Sequence, residues 1–115
     1  MKLQTPKQYD LEERTFAFAK NVRDFIKTLP KTISSIEYGK QVIRSSASIA
    51  ANYIEANEAL SKKDFLVRVK ISRKESKETR LWLRLIDIES QEKTKLIMEV
   101  NELMKIFGAI VTKTE

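Results

Sequence analysis

The fold is decided by the stretch Arg44-Ser-Ser-Ala-Ser-Ile-Ala-Ala-Asn-Tyr-Ile-Glu-Ala56. Its residue spacing predicts a helix that carries two different seams. The first seam consists of Ile43, Ser46, Ala47, Ala50, Ile54 and Asn57, and its small side chains favour close approach of another helix. The second seam is wholly polar and consists of Glu37, Gln41, Arg44, Ser48, Asn52 and Glu55. A helix with an apolar and a polar seam is expected to be packed from more than one side.

The composition around this stretch predicts a single all-α domain over residues 1–115. Of the 115 residues, 42% are hydrophobic, and only two are Gly and two are Pro. The absence of Cys and His removes disulfides, thiolate chemistry, the usual general base and the usual transition-metal ligand. We therefore expect no catalytic residues, no metal site and no cofactor. Neither an apolar run of membrane-spanning length nor a signal core is visible, so we expect a cytoplasmic protein without a membrane partner.

Periodicity and capping residues divide the chain into four helices. We expect them at about residues 10–29, 34–59, 62–88 and 92–112. Asp10 is predicted to cap the first helix with Glu13 as its capping-box partner, and Ser61 and Ser90 are predicted to cap the third and fourth. The Leu29-Pro30 pair ends the first helix, because proline restricts the residue before it.

The four amphipathic helices are expected to pack as an antiparallel up-down-up-down bundle with two long central helices. In the first helix the apolar seam is Leu11, Thr15, Phe18, Val22, Phe25 and Leu29, widened by Phe16, Ala19 and Ile26. In the third helix a strict heptad seam is formed by Phe65, Val69, Ser72, Ser76, Thr79, Leu83 and Ile86. In the fourth, the apolar positions are Leu96, Ile97, Val100, Leu103, Met104, Phe107, Ile110 and Val111.

The second and third helices carry complementary charges in an antiparallel hairpin that turns near Leu60. The pairing places Arg44 opposite Glu75 or Glu78, and it places Glu55 opposite Arg68, with Asn52 between the two ends. One interpretation is a polar network that fixes the register of the two helices. The other is an acidic catalytic or metal cluster, although the di-iron bundles of this shape need Glu-x-x-His pairs and this chain has no His.

The positive charge is concentrated on the third helix. Residues 61–86 contain nine Lys or Arg against three Asp or Glu, and this difference of +6 equals the net charge of the whole chain. The basic ridge consists of Lys63, Lys70, Arg73, Lys74, Lys77, Arg80 and Arg84. Such a row of cations is typical of nucleic-acid binding through phosphates, and because no aromatic residue interleaves it, binding should be tolerant of sequence. The alternatives are a solvated face and a docking surface for an acidic protein.

Apolar residues outside the heptad seam of the third helix predict an interface. The residues are Leu66, Val67, Leu81 and Leu85, with Trp82 as a candidate anchor. A row of exposed apolar side chains usually marks association, here of the chain with itself. The alternative is that the seam is rotated by one position and some of these residues lie in the core.

Three segments together resemble a bacterial four-helix-bundle family, named after proteins encoded in intervening sequences of 23S rRNA genes. They are Gln41-Val-Ile-Arg-Ser-Ser-Ala-Ser-Ile-Ala-Ala-Asn-Tyr-Ile-Glu-Ala56, Ser61-Lys-Lys-Asp-Phe65 and Glu75-Ser-Lys-Glu-Thr-Arg-Leu-Trp-Leu83. The resemblance runs from the first helix onward and is most specific at Arg44, Ser48, Asn52, Glu55, Phe65, Glu75 and Glu78. The sequence departs from the family pattern where Ala50 replaces a common Pro and Ala56-Asn57 replaces the usual Gly.

The resemblance implies a small bundle that assembles into a ring, typically a pentamer. A related branch comprises accessory proteins of diversity-generating retroelements, which are basic pentameric barrels that bind nucleic acid and a reverse transcriptase. Charge and resemblance together lead us to expect a non-catalytic homo-oligomer that binds nucleic acid, RNA rather than DNA. The alternative is a protein–protein adaptor that docks an acidic partner.

Overall fold

A computed structural model describes residues 6–115 of the chain, and the side chains of residues 10–115. Over this range the chain forms four helices and no strand: α1 (Pro6–Lys27), α2 (Ile33–Asn57), α3 (Lys62–Leu85) and α4 (Gln91–Thr114). Helix α1 packs against α2 and α4, and α3 packs against the same two helices. The result is an antiparallel four-helix bundle with overall dimensions of 46 × 22 × 19 Å. The predicted fold class is confirmed, and α4 is as long as α3.

The helix starts follow local capping chemistry, with one correction. The Ser61 and Ser90 hydroxyls accept hydrogen bonds from the backbone N–H groups of Asp64 and Lys93, each at 3.1 Å, as the sequence predicts. Asp10 does not cap α1, because that helix already begins at Pro6. Proline is well tolerated in a first helical turn, since its fixed φ is helical and its missing N–H has no partner there.

The other helix ends differ by a few residues from their expected positions. Helix α2 begins at Ile33 because Thr32 caps it, with the Thr32 hydroxyl accepting from the Ser35 N–H at 3.2 Å. Helix α3 ends at Leu85 rather than near residue 88, because Ile86 takes an extended conformation with ψ of 119°. The Ile86 side chain is nevertheless fully buried, so the turn into α4 folds back onto the core.

The core contains one layer of large side chains from each helix. Its largest members include Phe18, Ile49, Leu83 and Phe107. Most positions of the predicted seams of α1, α3 and α4 are buried, namely Leu11, Thr15, Phe18, Val22, Phe25, Val69, Ser72, Ser76, Thr79, Leu83, Ile86, Leu96, Val100, Leu103, Phe107 and Val111. The remaining members, Leu29, Phe65, Ile97, Met104 and Ile110, are only partly buried. The expected widening of the α1 face at Phe16 is wrong, because this ring is 62% exposed.

The inward face of α2 also differs from the prediction. Its buried apolar residues are Val42, Ile49, Tyr53 and Ala56, whereas Ile43 and Ile54 are exposed. Of the predicted seam only Ser46 and Asn57 are buried. The inward face is thus rotated by about one residue, or ~100°. Ile49 and Tyr53 on this face pack into the core cluster with Phe18 and Phe107, which favours it over the face that carries Ile43 and Ile54.

A glycine allows α1 and α2 to cross closely. Gly39 is buried in α2, and a Cβ atom at this position would lie 3.1 Å from Cγ2 of Ile26 in α1. A side chain here would push the two helices apart or force Ile26 to move. This close approach explains a glycine near the start of a helix, where its conformational freedom is otherwise unfavourable.

Candidate functional site

The α2–α3 seam joins two carboxylates of α3 to one guanidinium of α2. Nη1 of Arg44 lies 3.8 Å from Oε1 of Glu75, and its Nη2 lies 3.6 Å from Oε1 of Glu78. The Glu75 side chain is only 10% exposed, whereas the Arg44 side chain is half-exposed. Oε1 of Glu75 accepts no hydrogen bond within the described part of the chain. Arg44 therefore supplies the compensating positive charge for this buried carboxylate.

The other end of the α2–α3 seam repeats the pairing with exposed groups. Nη1 of Arg68 donates to Oδ1 of Asn52 at 3.0 Å, and its Nη2 lies 3.9 Å from a Glu55 oxygen. Asn52 is held in place because its amide donates to the Ser48 carbonyl and hydroxyl, each at 3.0 Å. The structure thus brings Arg44, Asn52, Glu55, Arg68, Glu75 and Glu78 together in the hairpin register that the sequence predicts.

Beneath these charges the two helices are joined by buried hydroxyl groups. The Ser72 hydroxyl donates to the Ile49 carbonyl at 3.0 Å, and the Thr79 and Ser45 hydroxyls lie 2.7 Å apart. Sequence reasoning found Ser72 and Thr79 through their heptad spacing, but it missed Ser45. The missed signal is the position of Ser45 seven residues before Asn52, on the side of α2 that faces α3. Helices α2 and α3 are therefore joined by buried hydroxyl hydrogen bonds as well as by ion pairs at the surface.

The basic ridge lies on the outer side of α3 that borders α4. Six of its seven cations are exposed, namely Lys63, Lys70, Arg73, Lys74, Lys77 and Arg84. Arg80 is half-buried, and its Nη1 donates to Oδ1 of Asn101 at 2.9 Å. Nζ of Lys70 lies 3.2 Å from a Glu115 oxygen. The ridge presents an almost continuous row of cations about 32 Å long, from Lys63 to Arg84 at 1.5 Å per residue.

The structure divides the five expected interface residues into two groups. Val67, Leu81 and Leu85 are exposed, and together we call them the α3 apolar strip. Leu66 and Trp82 are instead partly buried against the core, and the Trp82 ring stacks on Tyr38 with centroids 6.1 Å apart. Packing within the bundle accounts for these last two side chains, so their exposure does not mark an interface.

A second exposed apolar surface was not predicted. It consists of the exposed Ile36, Ile43, Ala47 and Ile54 and the partly buried Ala50, with Phe16 of α1 beside Ile54, and we call it the α2 apolar strip. Phe16 and Ile54 line an open hollow of about 340 Å³ together with Glu12 and Glu13. The available signal is the three-and-four spacing of Ile43, Ala47, Ala50 and Ile54, which the sequence predicts to be a seam for another helix; Ile36 extends this row by seven residues.

Two further findings concern what the site can hold. Among the described residues no cluster of three or more acidic side chains has the geometry of a metal site. None of the four helices has an apolar segment long enough to span a membrane. The ridge and the two strips are therefore the surfaces whose chemistry points beyond the bundle itself.

Comparison with known proteins agrees with the resemblance seen in the sequence. A protein of unknown function from the S23 ribosomal protein family of Bacteroides thetaiotaomicron has a similar crystal structure, with a TM-score of 0.79 and 28% identity. The alignment covers 92% of this chain and 98% of that one. Curated proteins give no significant match. The sequence model for the 23S rRNA-intervening sequence proteins matches residues 7–109, and the chain belongs to that family.

Proposed function

We propose that this protein is a non-catalytic, self-associating four-helix bundle that binds nucleic acid through the basic ridge of α3. The observation that carries the proposal is the exposure of six ridge cations along one side of a rigid helix. Cations spaced along a rod neutralise phosphates and release counterions, which gives affinity without reading sequence. The lack of His and Cys supports a role in binding rather than catalysis.

RNA is the preferred ligand in this proposal. The family is named after the intervening sequences of 23S rRNA genes in which its members are encoded. This name gives the place of the genes and not a ligand, so the binding assay compares RNA with DNA directly. The ridge carries no aromatic residue on which a base could stack, so the contacts expected are to phosphate and sugar. The resemblance implies a ring of typically five copies, which sedimentation of the purified protein tests.

Ridge and control variants with equal charge change test the proposal. The ridge variant combines Lys63→Gln, Lys77→Gln and Arg84→Gln, and the control combines Lys20→Gln, Lys27→Gln and Lys31→Gln on the α1 side. Binding of a 20-nucleotide RNA and of its DNA equivalent is measured between about 50 and 300 mM salt. We expect the ridge variant to bind at least about tenfold more weakly, with a salt slope smaller by about 2, since each lost phosphate contact removes about 0.7–0.9.

Two results would count against the proposal. If both triple variants weaken binding equally, the net charge and not the ridge attracts the nucleic acid. If the wild-type protein binds neither RNA nor DNA at low salt, the ridge has another ligand, and an acidic protein surface becomes the best candidate. A preference for DNA over RNA at equal salt would overturn only the choice of RNA.

A further inference from the structure

The two apolar strips have matching lengths and matching spacing. From Ile36 to Ile54, and from Val67 to Leu85, the separation is 18 residues, or about 27 Å along a helix. The α2 apolar strip follows steps of seven, four, three and four residues. The α3 apolar strip falls on the same heptad positions, with Ile71, Lys74 and Glu78 between its members. Such spacing is typical of helices that pack side by side over several turns.

The strips face different directions, so they cannot cover each other within one molecule. Ile54 shares its hollow with Phe16 of α1, whereas Arg44 and Glu55 occupy the side of α2 that faces α3. Both strips stay open in the bundle: Phe16 is 62%, Ile54 47% and Val67 48% exposed. Two different surfaces that each need a partner favour a head-to-tail contact rather than a twofold one.

At one end of the bundle the charges beside the strips are opposite, whereas farther along the α2 apolar strip Lys40 lies in the row between Ile36 and Ile43. The hollow at one end of the α2 apolar strip is lined by Glu12 and Glu13, and Glu58 follows Ile54 by one turn. At the same end of the bundle, Val67 lies between Lys63 and Lys70 of the basic ridge. The opposite charges at this end attract each other and favour the pairing of Val67 with the Phe16–Ile54 hollow.

We propose that the α3 apolar strip of one copy packs on the α2 apolar strip of the next copy, with the bundles side by side and parallel. The proposal rests on the self-association proposed above, and not on nucleic-acid binding. Because the Ser72 hydroxyl bonds the Ile49 carbonyl, Ile54 is level with Val67 within one hairpin, and Ile36 is level with Leu85. Parallel neighbours at equal height therefore place Val67 of one copy at the Phe16–Ile54 hollow of the next.

A twofold contact that uses only one of the two strips explains the exposed apolar surface less well than a head-to-tail contact does. Pairing two α3 apolar strips would bring the ridge lysines of both copies together, and like charges across an interface are unfavourable. Pairing two α2 apolar strips would leave Val67, Leu81 and Leu85 in water. The head-to-tail contact covers both strips in every copy except those at the ends of an open chain, and a closed ring has no such ends.

Engineered cysteines test the contact, since the natural chain has none. Ile54→Cys and Val67→Cys are made as separate proteins, mixed, allowed to exchange subunits and oxidised mildly. We expect a disulfide-linked dimer in the mixture, and at most a trace in either protein alone. Ile36→Cys mixed with Val67→Cys is the matched control, because its two sites lie about 27 Å out of register along the helices.

Each other outcome has a defined meaning. A disulfide dimer from Val67→Cys alone or from Ile54→Cys alone would show a twofold contact and overturn the proposal. An oligomer that forms no mixed disulfide would overturn the pairing of the strips while leaving self-association intact. A wild-type protein with the mass of a monomer would overturn both, and the nucleic-acid assay with ridge variants would stand independently.

A charge placed in the strip gives a second test without cross-linking. Ile54→Arg should weaken association at least about tenfold, measured as the dissociation constant by sedimentation, while the helical circular dichroism stays unchanged. Met98→Arg is the matched control, because Met98 is a 64% exposed residue on α4 outside both strips. Equal effects of the two substitutions, or no effect of Ile54→Arg, would contradict the proposed surface.

Discussion

Lys93 is a buried cation that closes the turn between α3 and α4. Its Nζ donates to the Ile86 carbonyl at 2.7 Å, and its side chain is only 6% exposed. We expect Lys93→Met to lower the free energy of unfolding by about 1–3 kcal/mol, because a buried carbonyl loses a charged donor. Urea unfolding of the variant measures this, with exposed Lys95→Met as the control. A loss below that of the control would show that water replaces the amino group.

Tyr53 should make stability fall at alkaline pH. Burial raises the pKa of Tyr53 above its ordinary value of 10.0, and Glu12 acts in the same direction while Asn57 beside the ring opposes them. The native state therefore holds the phenol proton more tightly than the unfolded chain does. This contribution is fully present below pH 10 and is lost as the pH rises from 10 through the pKa of the native state.

The Tyr53→Phe variant isolates that effect. We expect the unfolding free energy of the wild type, relative to that of the variant, to fall as the pH rises from 10 through the pKa of the native state, because only the wild type has a phenol to ionise at this position. Both proteins lose lysine charges over the same range, so the comparison removes that background. Stability curves that stay parallel over this range would contradict a buried, proton-retaining Tyr53.

At the scale of elements, the α2–α3 seam has one strong and one weak ionic end. Arg44→Met should cost about 1–2 kcal/mol, because it leaves the buried Glu75 carboxylate without its cation. Arg68→Met should cost less than about 1 kcal/mol, since Glu55 is mostly exposed. Thermal or urea unfolding compares them, and Glu75→Gln in the Arg44→Met background should restore part of the loss. Equal costs at the two ends would contradict this ranking.

Helix existence and most helix ends could be predicted because their causes are local. Ser61 and Ser90 mark the starts of α3 and α4, because each side chain accepts a hydrogen bond from the backbone N–H three residues later. The start of α1 was missed because Pro6 and Asp10 are both acceptable at a helix start, and preference alone does not choose between them. The end of α3 depends on Ile86 turning into the core, which is a tertiary effect.

The inward face of α2 could not be read from spacing, because two apolar seams lie next to each other on this helix. Val42, Ile49 and Tyr53 form one, and Ile43 and Ile54 belong to the other. They are offset by about one residue, and only packing against Phe18 and Phe107 of the neighbouring helices favours the first. Spacing alone therefore does not reveal the α2 apolar strip, although Ile43, Ala47, Ala50 and Ile54 belong to a seam that the sequence predicts.

At the scale of the whole molecule, the sequence predicts the candidate site better than its surroundings. The ridge and the pairing of Arg44 with Glu75 follow from charge and from the register of an antiparallel hairpin, which are regular over many residues. Val67 is exposed and Leu66 is partly buried because of where α4 lies beside α3. A single sequence does not specify the position of α4. Hence the sequence predicts which polar residues share a surface, whereas the structure is needed to show which apolar residues are exposed.

The bundle should be loosest between α1 and α4. This seam contains open hollows of about 320 Å³ beside Phe25 and Leu96 and of about 240 Å³ beside Leu11 and Ile110. Between them a bidentate ion pair joins Arg14 to Glu99, at 2.7 and 2.8 Å. Because few buried contacts and one ion pair hold α1 to α4, separating these two helices locally should require little free energy.

Amide hydrogen exchange of the Glu99→Gln variant tests the role of the Arg14–Glu99 ion pair. We expect the amides of α1 near Arg14 to exchange about two- to fivefold faster, because a partly exposed pair contributes about 0.5–1 kcal/mol. The amides around Ser72 in the α2–α3 seam should keep their rates, since buried hydroxyl bonds tie that seam independently. Glu102→Gln is the matched control, because it removes the same charge from α4, together with its weaker electrostatic pull on Arg14, but leaves the Arg14–Glu99 hydrogen bonds in place. Faster exchange in every helix would show that α1 opens only when the whole bundle unfolds.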